Sequence, residues 1–96
     1  MPGKLNKKSI RGLAEALLLL RTPGQAERFL RDLCTPGELG AMADRWKVAQ
    51  LVDRGVPYRE IYERTGVSTA TITRVARSLT MGSDGYRSVL DQQEES

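Results

Sequence analysis

The stretch Tyr58–Ser78, YREIYERTGVSTATITRVARS, decides how the rest of the chain is read. Its spacing predicts two short helices joined by a tight turn. Ile61 faces inward on the first. Gly66 follows five residues later, where the chain leaves the helix in a left-handed conformation that glycine adopts without steric cost. Val67 plugs the turn, and Ser68 has the hydroxyl of a good N-cap. Ile72, Val75 and Leu79, spaced by three and four, form one apolar stripe on the second helix. The opposite face carries Thr69, Ala70, Thr71, Thr73, Arg74 and Arg77 and no acid. Hydroxyls, a methyl and guanidinium groups suit phosphates and base edges. The same helix–glycine–helix order also occurs in all-α proteins that touch no DNA. One position departs from the common helix-turn-helix pattern. The residue after Ile61 is usually small and faces the helix crossing; here it is Tyr62. Either the helices cross differently, or Tyr62 turns outward toward a phosphate.

Working upstream, Pro57 reopens the chain after Gly55, which stops a long helix expected from Pro36 to about Arg54. Leu39, Met42, Ala43, Trp46, Ala49 and either Val48 or Val52 are expected on its apolar side. Thr35-Pro36-Gly37-Glu38 reads as a capping box, with the glutamate also meeting the positive end of the helix dipole. Thr22-Pro23-Gly24-Gln25 reads as another, starting a helix to about Leu33 with Ala26, Phe29, Leu30 and Leu33 inward. Before it, Ile10, Leu13, Ala14, Leu17 and Leu18 recur at helical spacing in a helix expected from about Lys8 to Leu20. Leu19 and Leu20 make that helix greasy on its other side too. A small subunit can hardly cover it, so a second chain is expected to; the alternative is a central core helix in a monomer. Downstream, Gly82 and Gly85 break the second helix of the motif after Leu79. Ser83 or Asp84 is expected to cap a last helix, roughly Gly85 to Gln92, with Tyr86, Val89 and Leu90 as its contacts. The expected organisation is a flexible basic N-terminus (1–7), one helical domain (8–92, helix-turn-helix 58–79) and an acidic tail (93–96). No strand pattern or internal repeat is visible.

Ninety-six residues, 40% of them hydrophobic and 28% charged, fit one folded domain. The net charge of +3 permits a polyanionic partner without demanding one. The sequence holds no histidine and one cysteine, Cys34. An intrachain disulfide is therefore excluded, a zinc site is not expected, and the commonest general base is missing. Cys34 is read as a small apolar packing residue. With no glycine-rich phosphate loop either, an enzyme is not expected. The longest apolar run, Ala16–Leu20, is too short to span a bilayer, no signal peptide is seen, and a reducing cytoplasm is the expected compartment.

The order of parts resembles the Trp repressor family over nearly the whole chain, from about Lys8 to Leu90. The likeness rests on two helices, the CTPGEL start, a long helix carrying Asp44-Arg45-Trp46, an Arg-Gly stop and the ATITR string of residues 70–74. The closing GSDGYRSVL looks like the Trp-repressor-related YerC/YecD-type branch. The resemblance implies an all-α fold of about six helices in which two chains interlock through their N-terminal helices. It also implies two recognition helices facing successive major grooves about one turn of DNA apart. It places base reading, largely through water, at Thr69, Ala70, Thr71 and Thr73, and a base-edge contact at Arg59. Arginine prefers guanine, whose two acceptors match two of its donors. Otherwise Arg59 is a surface arginine pairing with Glu63 at i+4. The effector pocket of the family's founding member maps onto Thr35, Arg45, Arg74 and Ser78. Where the repressor has the glycine against which the indole ring packs, this chain has Val75, whose methyl groups fill that space. Tryptophan is therefore not expected to bind, leaving room for another small-molecule effector. Arg45 would then pair with Asp44 or Glu38, and Arg74 would meet a phosphate.

The expected function is that of a homodimeric, sequence-specific DNA-binding transcriptional regulator, a repressor, with Arg74 and Arg77 supplying charge and Arg59, Thr69, Ala70, Thr71 and Thr73 supplying discrimination. No cofactor, metal or membrane is expected. The rival readings are a helical protein–protein interaction module and the DNA-binding piece of a mobile-element recombinase.

Overall fold

In the computed structural model, which describes residues 5–95, six helices follow one another and no strand occurs among those residues. They are α1 (Lys7–Leu17), α2 (Pro23–Leu33), α3 (Pro36–Asp53), α4 (Tyr58–Thr65), α5 (Thr69–Met81) and α6 (Gly85–Glu95). The chain groups into two compact units, Met1–Leu39 and Gly40–Ser96, and α3 begins in the first and continues in the second.

The first unit is held by local chemistry. Asn6 caps α1 by accepting the Ser9 N–H, so Lys7 of the expected flexible stretch is helical; residues 1–4 lie outside the described ones. The helix ends at Leu17 and not at Leu20. Leu19 and Leu20 turn back through tighter i→i−3 bonds to Ala16 and Leu17, because Thr22 must be extended to precede Pro23 and to cap α2. In that cap, Thr22 Oγ1 accepts the Gln25 N–H at 3.1 Å, while Gln25 reaches past the cap to the Arg21 N–H at 2.9 Å. The Thr35 box closes fully: its Oγ1 accepts the Glu38 N–H at 3.1 Å and its own N–H donates to Glu38 at 2.8 Å. Neither α1 nor α2 buries a single residue. Ile10, Leu13, Leu17 and Leu33 are each 41–50% exposed, and Leu18 and Leu19 more so.

The second unit contains the core. Val48, Ala49 and Leu51 of α3, Ile61 of α4, Val67 of the turn, and Ile72 and Val75 of α5 are buried together, with Trp46, Val52, Val56 and Tyr86 packed against them. Of the two valines between which the sequence does not choose, Val48 is the more buried, fully so, and Leu51 joins it unforeseen. Met42 and Ala43, expected on the apolar side, are exposed. At 100° per residue Met42 lies within about 20° of Ala49, which is fully buried, so the covered side of α3 changes along its length. Gly55 (φ 80°) stops α3 in the left-handed region that suits glycine.

The recognition helix continues to Met81, two residues past Leu79, before Gly82 ends it. The last helix runs on to Glu95, past the expected end near Gln92, and Ser96 lies outside the described residues. It opens on the Asp84 backbone, at φ 70°, whose carbonyl accepts the Ser88 N–H. Leu90 is buried and Tyr86 stacks on Trp46 with ring centroids 6.4 Å apart, but Val89 is 48% exposed. Arg87 ties α6 to α3: its guanidinium bonds Asp53 at 2.8 Å and Asp91 at 3.0 Å. The Arg87 hydrogen bond holds the Asp53 carboxyl below its ordinary range, against the upward push of burial. A depressed folded pKa gives stability that is present above the unfolded value and lost as pH falls through the folded one. Arg87→Ala should therefore return the Asp53 titration, followed by carboxyl NMR, toward the ordinary range, and should remove this part of the acid dependence of unfolding.

Candidate nucleic-acid interface

Three local devices set α5. Gly66, at φ 74°, donates its N–H to the Tyr62 carbonyl at 2.8 Å and turns the chain out of α4. Ser68 then caps α5 by accepting the Thr71 N–H at 3.2 Å. Between them, the Thr65 hydroxyl donates to the Ile61 carbonyl at 2.7 Å and accepts the Val67 N–H at 3.1 Å. One side chain thus joins the end of α4 to the backbone of the turn. Sequence reasoning missed Thr65, whose only signal was a hydroxyl residue directly before the turn glycine. Thr65→Val would keep the shape and strand the half-buried Val67 N–H, costing about 1–3 kcal/mol. Thr65→Ser should restore most of it, as read by urea denaturation.

Ile61 and Ile72 are fully buried and Val75 is 2% exposed, so α4 and α5 are locked through their apolar sides. The opposite arc of α5 faces solvent and carries Thr69, Ala70, Thr73, Arg74 and Arg77, all exposed. Among the described residues neither Arg74 nor Arg77 makes an ion pair, and α5 contains no acid that could supply one. Thr71 differs from the other candidate readers. It is half-buried, and its Oγ1 accepts the Ser68 hydroxyl at 3.1 Å, so it is part of the cap.

The neighbouring α4 is electrically balanced. Arg64 pairs with Glu60, and Arg59 lies 3.9 Å from Glu63, the i+4 pairing that the sequence left open as its alternative role. The Arg59 side chain is 91% exposed. Tyr62 is half-exposed to solvent, and Tyr58, one turn earlier, is exposed as well.

Of the residues mapped to an effector pocket, Thr35 belongs to the first unit and Arg45, Arg74, Val75 and Ser78 to the second. Arg45 is exposed and pairs with neither Asp44 nor Glu38. Ser78 is half-buried. Val75 is built into the core beside Ile72 and Ile61. Among the described residues no helix is long and apolar enough to cross a membrane.

Known proteins share this arrangement. The Trp repressor protein family model matches residues 8–94. The uncharacterized protein YerC of Bacillus subtilis is 40% identical over 92 residues, covering 96% of this chain and 88% of its own. A Trp operon repressor homolog of Actinobacillus succinogenes is 46% identical over 59 residues, 60% of this chain and 58% of that one. The crystal structure of a TrpR-like protein from Eubacterium eligens superposes with a TM-score of 0.85 at 38% identity, over 91% of this chain and 90% of that one. With the capped recognition helix, the left-handed glycine turn and the acid-free arginine face all in place, the chain belongs to the Trp repressor family of helix-turn-helix DNA-binding regulators.

Proposed function

We propose that the protein is a cytoplasmic, homodimeric transcriptional repressor that binds a specific double-stranded operator and does not respond to tryptophan. The observation that carries this reading is the solvent-facing arc of α5, with exposed threonines, no acid, and two arginines that form no ion pair among the described residues. Arg74 and Arg77 meet phosphates, Thr69, Ala70 and Thr73 meet base edges, and Arg59 reaches a guanine. The apolar residues that the first unit leaves bare support a second copy as partner, since patches of that kind on small proteins mark contact surfaces. The burial of Val75 supports independence from tryptophan, because a core side chain would have to move to admit a ring.

Selection from a random duplex library, read by sequencing, tests this. A palindrome with half-sites about one helical turn apart is the expected result. Retention on random duplex that is weak and nearly independent of salt would instead favour a protein-interaction module.

A further inference from the structure

We propose that Glu63 sets the selectivity of Arg59: it holds the guanidinium in the free protein and gives it up to guanine in preference to other acceptors. The proposal rests on the DNA-binding reading above and deepens it.

The two residues lie one turn apart on the same exposed side of α4, with 3.9 Å between Arg59 Nε and Glu63 Oε2 and side chains 91% and 63% exposed. That separation exceeds hydrogen-bond length, so the contact is one of charge and is easily exchanged. An exposed pair of this kind contributes little to folding. Its consequence is instead for whatever approaches the face of α4. Helix α5 offers Arg74 and Arg77 with no acid beside them, so their attraction for phosphate is the same at every sequence. Arg59 can bind only by leaving a carboxylate. A single acceptor does little more than replace Glu63, whereas guanine O6 and N7 engage two N–H groups together. Once released, Glu63 stays near the duplex as an unpaired negative charge. Neighbouring phosphates repel it at every sequence. Glu63 therefore weakens binding in a random register more than at a site that supplies guanine.

Glu63→Gln keeps the shape and removes the charge. On a random duplex at ~0.1 M salt the variant should bind about three- to tenfold more tightly than the wild type, and on the selected operator less than about twofold more tightly. The operator-to-random ratio should fall accordingly. In an Arg59→Ala background, Glu63→Gln should shift both duplexes equally. An unchanged ratio in Glu63→Gln, with salt-dependent DNA binding intact, overturns the proposal and leaves the DNA-binding reading standing. An unequal shift that persists without Arg59 also overturns it, because Glu63 would then act on the DNA by itself. Failure of the wild type to bind any duplex in a salt-dependent way would remove the DNA-binding reading and this proposal together.

Discussion

Ile72→Ala should lower folding stability by about 2–5 kcal/mol, a large share of the roughly 5–15 kcal/mol available to a native protein. Ile72 is wholly inaccessible and sits where α3, α4 and α5 supply the buried cluster. Alanine is the better helix former, so α5 itself loses nothing and the whole cost reports lost packing and the cavity left behind. At fixed protein concentration the thermal midpoint should fall by about 10 °C or more, on the scale of roughly 4–8 °C per kcal/mol for a domain of this size. Thr73→Ala, one residue along on the exposed arc, should stay within about 0.5 kcal/mol of the wild type. Equal losses in the two variants would mean that α5 does not present separate packed and free sides.

The double variant Arg74→Ala/Arg77→Ala should have the largest effect on binding. Each phosphate contact adds about 0.9 to the slope of log affinity against log salt, so the proposed dimer, losing both arginines from both subunits, should lose a slope of roughly 3 to 4. At ~0.1 M salt this corresponds to about a thousandfold in affinity. The loss should be nearly the same on operator and scrambled duplex, because phosphates carry no sequence. Fluorescence anisotropy across a salt series measures both quantities. A loss confined to the operator would move these arginines from the backbone to the bases, and an unchanged affinity would take α5 out of the interface.

Much of this was legible in the sequence because it is decided within one turn of chain. The left-handed Gly55 and Gly66, the Ser68 cap and the Thr35 box each depend on a residue and its neighbours a few positions away. The α5 stripe of Ile72 and Val75 was legible because the large branched side chains, Ile72, Val75 and Leu79, fall on one side. Helix α3 defeated the same method. Its apolar residues surround the axis, so periodicity could not say that Leu51 is buried while Met42 and Ala43 remain partly open to solvent. The engagement of Thr71 was hidden for another reason. Ser68 and Thr71 are each ordinary candidates for their own task, and only their geometry shows that one hydroxyl occupies the other. Arg87 reaches Asp53, 34 positions earlier, a separation that no local pattern reports.

Helices α1 and α2 have eleven residues each and no internal core. Isolated helices shorter than about 12–15 residues are marginal in water. If a second copy supplies the missing cover, assembly and the ordering of these helices become a single event. The cell's supply of the protein would then govern how much of it is structured as well as how much is bound. Heterodimers made by mixing tagged and untagged protein should form only as fast as this segment melts, and mild denaturant should speed their appearance well before the recognition helix loses its shape.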